Sequence, residues 1–335
     1  NTSLKKFMAT YKEIHGVKVQ YRDSDATAIE GDVWYNASTS KLKMYASSGS
    51  WASGGNKNQG QEVSFSVGTQ TAAMAAGGGN SGPVVTAEQY DGSSWTEVAD
   101  LNQGRFAAAG GSGTQTAAIV AAGDQNPGDR QSAYSETWDN TSWTATPAIN
   151  TSRAQSSMFG ATNTAALIAT GYTTPNFAAT VNVEEWDGSS WAEIANVNTQ
   201  RLASSSAGTS TAGMLMCGAT PPPSNLDIVE EWNGASWSET TDTNAVRRAH
   251  GASRGSNTSA VIFGGRTGNP ETNNVATTES WDGTAWTEVA DLATGRANVG
   301  GAGSGNTSAL CWGPAPTTAT EEFSFATSIE TIAFD

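Results

Sequence analysis

Apolar positions in this chain come in short runs, and the runs occur in pairs. From Arg105 to Gly123 two such runs flank a G-T-Q-T turn, the pattern of a β-hairpin. A second pair, residues 135–138 and 143–145, flanks D-N-T-S. Asp-Gly, which fills that place in most copies, is a strong turn signal. No apolar spacing of 3.6 residues persists over helical length, so the pattern predicts strands and disfavours a helical solenoid.

The hairpins repeat. Y-D-G-S-S-W ending at Trp95 recurs as W-D-N-T-S-W at Trp143, W-D-G-S-S-W at Trp191, W-N-G-A-S-W at Trp237 and W-D-G-T-A-W at Trp286, with spacings of 48, 48, 46 and 49 residues. A small-residue turn with an apolar run precedes them, beginning at Gly68, Gly113, Ala161, Gly208, Ser256 and Gly305. A period of this length marks a propeller or a solenoid, and four short strands per period make one propeller blade. From about residue 50 onward the chain has room for six. The fold class expected is therefore all-β: a six-bladed β-propeller with a short N-terminal attachment segment.

A four-residue loop sets Tyr90 opposite Trp95, and likewise Trp138 and Trp143, Trp186 and Trp191, Trp232 and Trp237, and Trp281 and Trp286. Cross-strand aromatic pairs of this kind stabilise a sheet by roughly 0.2–1 kcal/mol. These rings read as core wedges between outer strands, with sugar stacking as the alternative. The last copy, A-T-E-E-F-S-F, lacks its partner Trp. Either Trp51 supplies that outer strand by chain overlap, or Phe323 pairs with the S-I-E-T-I-A-F that follows it.

Composition narrows the function. The chain carries 17 Lys and Arg against 32 Asp and Glu, a net charge of −15. That excludes nucleic acid or an anionic membrane as the expected partner, since both call for a basic face. No apolar run approaches the roughly 20 residues of a spanning helix, so no membrane insertion is expected. Lys5 and Lys6 have no apolar stretch behind them, so no secretory signal is expected. Cys217 and Cys311 sit in apolar stretches and read as buried hydrophobes without a disulfide. His15 and His250 are isolated, which gives no zinc pattern. No metal or cofactor is expected.

The repeat resembles the Kelch type of propeller. The matching features are an Arg at the start of the first strand (Arg105, Arg153, Arg201, Arg248 and Arg296, with Gln61 in the first copy), a glycine after the second strand, then an aromatic and a Trp. The double glycine is complete at Gly264–Gly265 and reduced to one in most other copies. Upstream, M-A-T-Y-K-E-I-H-G from Met8 and G-D-V-W-Y-N-A-S-T-S-K-L-K-M-Y from Gly31 resemble the start of repeat-bearing virion proteins of tailed bacteriophages. These resemblances imply an attachment segment over 1–31 that meets virion structural proteins, a small hairpin module over 32–50, and a propeller over 51–335. They also imply a non-enzymatic tail-fibre or capsid-decoration protein on the extracellular virion surface, which binds a host-surface glycan or protein. A homo-oligomer is left open. The alternative is a free or cell-surface lectin-like propeller, with a propeller glycoside hydrolase as a third class.

Strand alternation puts the G-T-Q-T and D-G-S-S turns on one rim and the variable second-to-third strand connections on the other. Variable loops on a rigid scaffold carry recognition. The candidate ligand-binding residues there are Asp124, Asn126, Arg130, Tyr172, Asn176, Phe177, Arg266 and Asn269. The repeated Arg, together with Glu88, Glu136, Glu184, Glu230, Glu279 and Glu321, reads as a ring of blade-to-blade ion pairs. The Asp of Asp91, Asp139, Asp187 and Asp282 reads as a turn residue rather than a calcium ligand. No catalytic residue is assigned, because there is no G-x-S-x-G elbow and no His near a candidate nucleophile.

Overall fold

The structure, a computed structural model, describes residues 20–25, 32–79, 82–106, 110–125, 131–173, 178–221, 224–268 and 273–332. Every regular element among the described residues is a strand. The chain divides into two compact units, residues 1–50 with 325–335, and residues 51–324.

In the larger unit five sheets are four-stranded and antiparallel. The first comprises Phe65–Thr69, Ala72–Ala76, Ala87–Tyr90 and Trp95–Val98. The second comprises Ser112–Thr114, Ala117–Ala121, Ser135–Trp138 and Trp143–Thr146. The third comprises Ser157–Thr162, Ala165–Ala169, Val183–Trp186 and Trp191–Glu193. The fourth comprises Ser205–Thr209, Ala212–Thr220, Ser224–Trp232 and Trp237–Glu239. The fifth comprises Gly251–Ala252, Ala260–Phe263, Thr278–Trp281 and Trp286–Val289. A further group runs Gly300–Gly305, Ser308–Trp312, Thr320–Thr331 and Lys41–Ser53 in spatial order. The first strands of these groups touch one another in cyclic order, and Gly300–Gly305 returns to Phe65–Thr69. This is a β-propeller arrangement.

The group that holds Glu321 also holds Trp51. The Trp51 ring packs on Phe323 with centroids 5.2 Å apart, and its indole N–H donates to Thr278 Oγ1 of the fifth sheet at 3.1 Å. Gly54 N donates to the Thr320 carbonyl at 2.9 Å. An N-terminal strand thus pairs with the last repeat of the chain, as the chain-overlap reading expects.

The aromatic pairs fall opposite one another in register, with centroids 5.1–5.4 Å apart. All ten rings are buried. The fourth-strand indoles also tie neighbouring sheets together: Trp143, Trp237 and Trp286 donate to the carbonyls of Ala99, Ala195 and Thr241 in the preceding repeat. These Trp are core.

One glycine per copy survives for a stereochemical reason. The second position of the double glycine has φ between 78° and 106° at Gly78, Gly123, Gly171, Gly218, Gly265 and Gly313. A Cβ at Gly171 would lie 2.6 Å from the Ala154 carbonyl oxygen. In the first five copies the first position has φ of 56–68° and carries Ala122, Thr170 and Cys217 as well as glycine. That region tolerates other residues at a cost of roughly 1–2 kcal/mol.

The repeated Glu binds its cation as expected, with two corrections of identity. Arg105, Arg153, Arg201 and Arg296 pair with Glu136, Glu184, Glu230 and Glu321. In the fifth copy the partner of Glu279 is Arg247, not Arg248. In the first copy Gln61 does not replace the charge: Lys57 reaches Glu88 at 3.2 Å and Gln61 Oε1 at 2.8 Å. Each Arg joins two sheets. The Arg105 carbonyl accepts from Gly78 N of the first sheet's connection, while its guanidinium donates to the Ala122 and Tyr134 carbonyls and to Glu136 of the second.

In the smaller unit Gln20–Arg22 runs parallel to Val33–Asn36, which pairs antiparallel with the start of Lys41–Ser53. Trp34 is fully buried, and Asp25 accepts from Trp34 Nε1 at 3.1 Å and Asn36 Nδ2 at 2.5 Å.

Candidate functional site

Antiparallel order within every sheet places the first-to-second and third-to-fourth turns on one rim. The latter are Asx turns: Asp91 Oδ1 accepts from Ser93 N and Ser94 N at 2.9 and 2.8 Å. Those bonds, with the Ser93 hydroxyl, hold the Asp91 carboxyl down at about 2. Among the described residues no group of three or more His, Cys, Asp or Glu is arranged to hold a metal.

The opposite rim carries the variable connections. Of the residues expected to bind ligand, Asn126, Arg130, Asn176, Phe177 and Asn269 lie outside the described residues. Asp124 and Tyr172 are buried, and the Tyr172 hydroxyl donates to Asp124. Arg266 lines a cavity of about 330 Å³ on this side of the propeller.

The first strands and the connections into them build that cavity. Seven serines line it, from Ser64 to Ser206, with Arg248, Arg254, Arg266, His250, Gln155 and Asn298. Arg248 and Arg266 face each other across an antiparallel bridge. Asn225 Oδ1 accepts from Arg248 at 2.9 Å, and Asn274 Oδ1 accepts from Arg266 at 3.2 Å.

Arg254 crosses the space between the sheets. It immediately precedes Gly255, the counterpart of Gly68, Gly113 and Gly208 in other copies. From the fifth sheet its guanidinium donates to the carbonyls of Met158 at 2.8 Å, Gly301 at 3.3 Å and Gly111 at 3.4 Å. A Cβ at Gly110 would lie 2.0 Å from its Nη1, so a side chain there would displace the guanidinium from this position. Arg254 also lines a second cavity of about 440 Å³ on the side of the uniform turns. Burial pushes its pKa down to about 10, still well above neutrality.

His250 corrects the expectation that no histidine lies near a nucleophile: its Nε2 is 2.6 Å from Ser205 Oγ. Burial, with Arg247 adding to it, pushes the imidazole down to about 3. Nδ1 has no partner, so no carboxylate orients the ring. A base this weak is poorly matched to taking a serine proton.

Two features of this site escaped the reading of the sequence. The A-S-R-G of the fifth copy carries its own signal, since no other copy has a basic residue between its first-strand Arg or Gln and its turn. The Asn of N-x-x-R is the other. Asn102, Asn150, Asn198 and Asn244 bind the repeated Glu and a Trp carbonyl. Counting three residues on from Asn244 selects Arg247 over Arg248.

No protein-family model and no curated protein matches the chain. Among solved structures the chain is similar to one titled "Structure of YjhT", with a TM-score of 0.65 and 14% identity over 83% of this chain and 99% of that one. That likeness supports the β-propeller fold. No helix among the described residues is long and apolar enough to cross a membrane.

Proposed function

We propose that this chain is a non-enzymatic recognition protein of a phage virion surface, a tail fibre or capsid decoration. Its Kelch-like propeller of six blades binds a host-surface glycan or protein at the rim of variable connections, and its N-terminal residues meet virion structural proteins. The observation that carries the binding reading is the cavity at that rim. It lies where the connections vary, and its wall is built from hydroxyls and guanidinium groups. Hydrogen-bonding walls of this kind suit a hydroxyl-rich ligand. The virion assignment rests on the resemblance of residues 8–16 and 31–45 to phage modules.

Two measurements test this. Mass spectrometry and immunolabelling of purified virions should find the protein on the particle surface. A glycan array read beside reducing-sugar release should show binding without release. Sugar release would instead favour a hydrolase, and absence from virions would favour a free lectin-like propeller.

A further inference from the structure

We infer that the rim cavity takes an oxyanion, the carboxylate or sulfate of an acidic saccharide, with the guanidinium of Arg254 as its counter-charge. The inference rests on the glycan-binding reading and names the class of glycan. Arg254 is the first observation. It is part-buried, its hydrogen bonds go to backbone carbonyls, and no acid among the described residues pairs with it. By contrast Arg105, Arg153, Arg201, Arg247 and Arg296 are each paired with a glutamate. A buried cation without a counter-ion is costly, and an anionic ligand removes that cost.

The second observation is independent of Arg254. Ser156 and His250 line the same cavity and are buried, and Ser156 Oγ and His250 Nδ1 have no hydrogen-bond partner. Buried polar groups are normally satisfied, so such orphans mark a place where something else binds. The third is the charge of the wall. In a chain with 32 acids and 17 Lys and Arg, the described residues lining this cavity include Arg254 and no Asp or Glu. Glu62, which accepts from the lining residue Asn298 Nδ2 at 3.3 Å, is an acid at its edge. Serine hydroxyls supply the neutral donors and acceptors that a sugar ring needs, and the guanidinium fork matches a carboxylate or sulfate.

Calorimetric titration of the full chain with galacturonate, galactose 6-sulfate and neutral galactose tests this. One or both acidic sugars should bind at least about tenfold more tightly than galactose, as a charged hydrogen bond implies. Which acid binds identifies the oxyanion. Arg254→Met, with its fold checked by melting temperature, should weaken that binding by roughly tenfold or more. Ser156→Leu, which fills the cavity and leaves the Arg254 bonds intact, should weaken it as well. Equal binding of galactose, failure of both acids, or unchanged affinity in Ser156→Leu would overturn the inference. A glycan array on the same sample separates the two levels. Binding to neutral glycans alone sinks the anion site and leaves glycan recognition standing, whereas a blank array sinks both.

Discussion

Removing Arg105 tests whether the recurring ion pairs hold the sheets together. Arg105 is wholly buried, and its Nη2 lies 2.6 Å from Glu136 Oε1. Arg105→Met keeps most of the stem and deletes the charge. Glu136 then keeps two donors, Asn102 N at 2.9 Å and Asn102 Nδ2 at 2.6 Å, and remains an unpaired buried charge. The Tyr134 carbonyl, which accepts from Arg105 at 2.5 Å, loses a donor as well. Breaking a buried pair on one side costs about 3–5 kcal/mol. At about 2–4 °C per kcal/mol for a domain approaching this size, Tm should fall by roughly 6–20 °C. The assay is thermal and urea denaturation, with amide exchange at Ala117–Ala121 as the local readout. The double variant Arg105→Met, Glu136→Met should recover part of the loss, because it leaves no orphan charge. A single-variant cost below about 1 kcal/mol, or a double variant no better than the single, would refute the reasoning.

Four further outcomes are expected. Lys57 has its pKa pushed by burial from 10.5 down to about 8. Between those values the unfolded state holds a proton that the folded state lacks, so stability rises with pH by up to about 1.4 kcal/mol per unit. Urea titrations of wild type and Lys57→Met should differ by that rise. His250 gives the acid-side counterpart. Its pKa falls from 6.5 to about 3, so its contribution is complete above 6.5 and drains away as pH drops towards 3, a loss that His250→Asn should flatten in pH-dependent melts. Cys217 and Cys311 are buried and free, with thiols pushed up to about 12; a thiol reagent should label neither in the native protein and both after denaturation. Gly213 has no room for a side chain, since a Cβ would lie 2.0 Å from the Phe159 ring. Gly213→Leu should therefore cost about 1–3 kcal/mol or more through overpacking, read by denaturation.

The strands, their hairpin turns and the facing aromatic pairs were legible in the amino-acid order because each depends on neighbours a few residues apart. A four-residue loop leaves little choice about which side chains face each other. Asn140 fits the same logic: it takes φ 75° where other copies carry glycine, and asparagine tolerates that conformation. The recurring Glu was equally legible, because it keeps its place on the third strand.

Which cation meets each Glu was less so. Arg247 and Arg248 are adjacent, and only the course of the connection between sheets decides which one turns inward. Lys57 replaces an arginine from four residues earlier than the repeat implies, which folding alone brings to Glu88. The cavity is the clearest case. Arg254 and Gly111 are 143 positions apart, and their meeting depends on a chain that closes on itself. Local order dictated the sheets, while closure of the ring decided what stands at its centre, because contacts across the axis join segments that share no local rule.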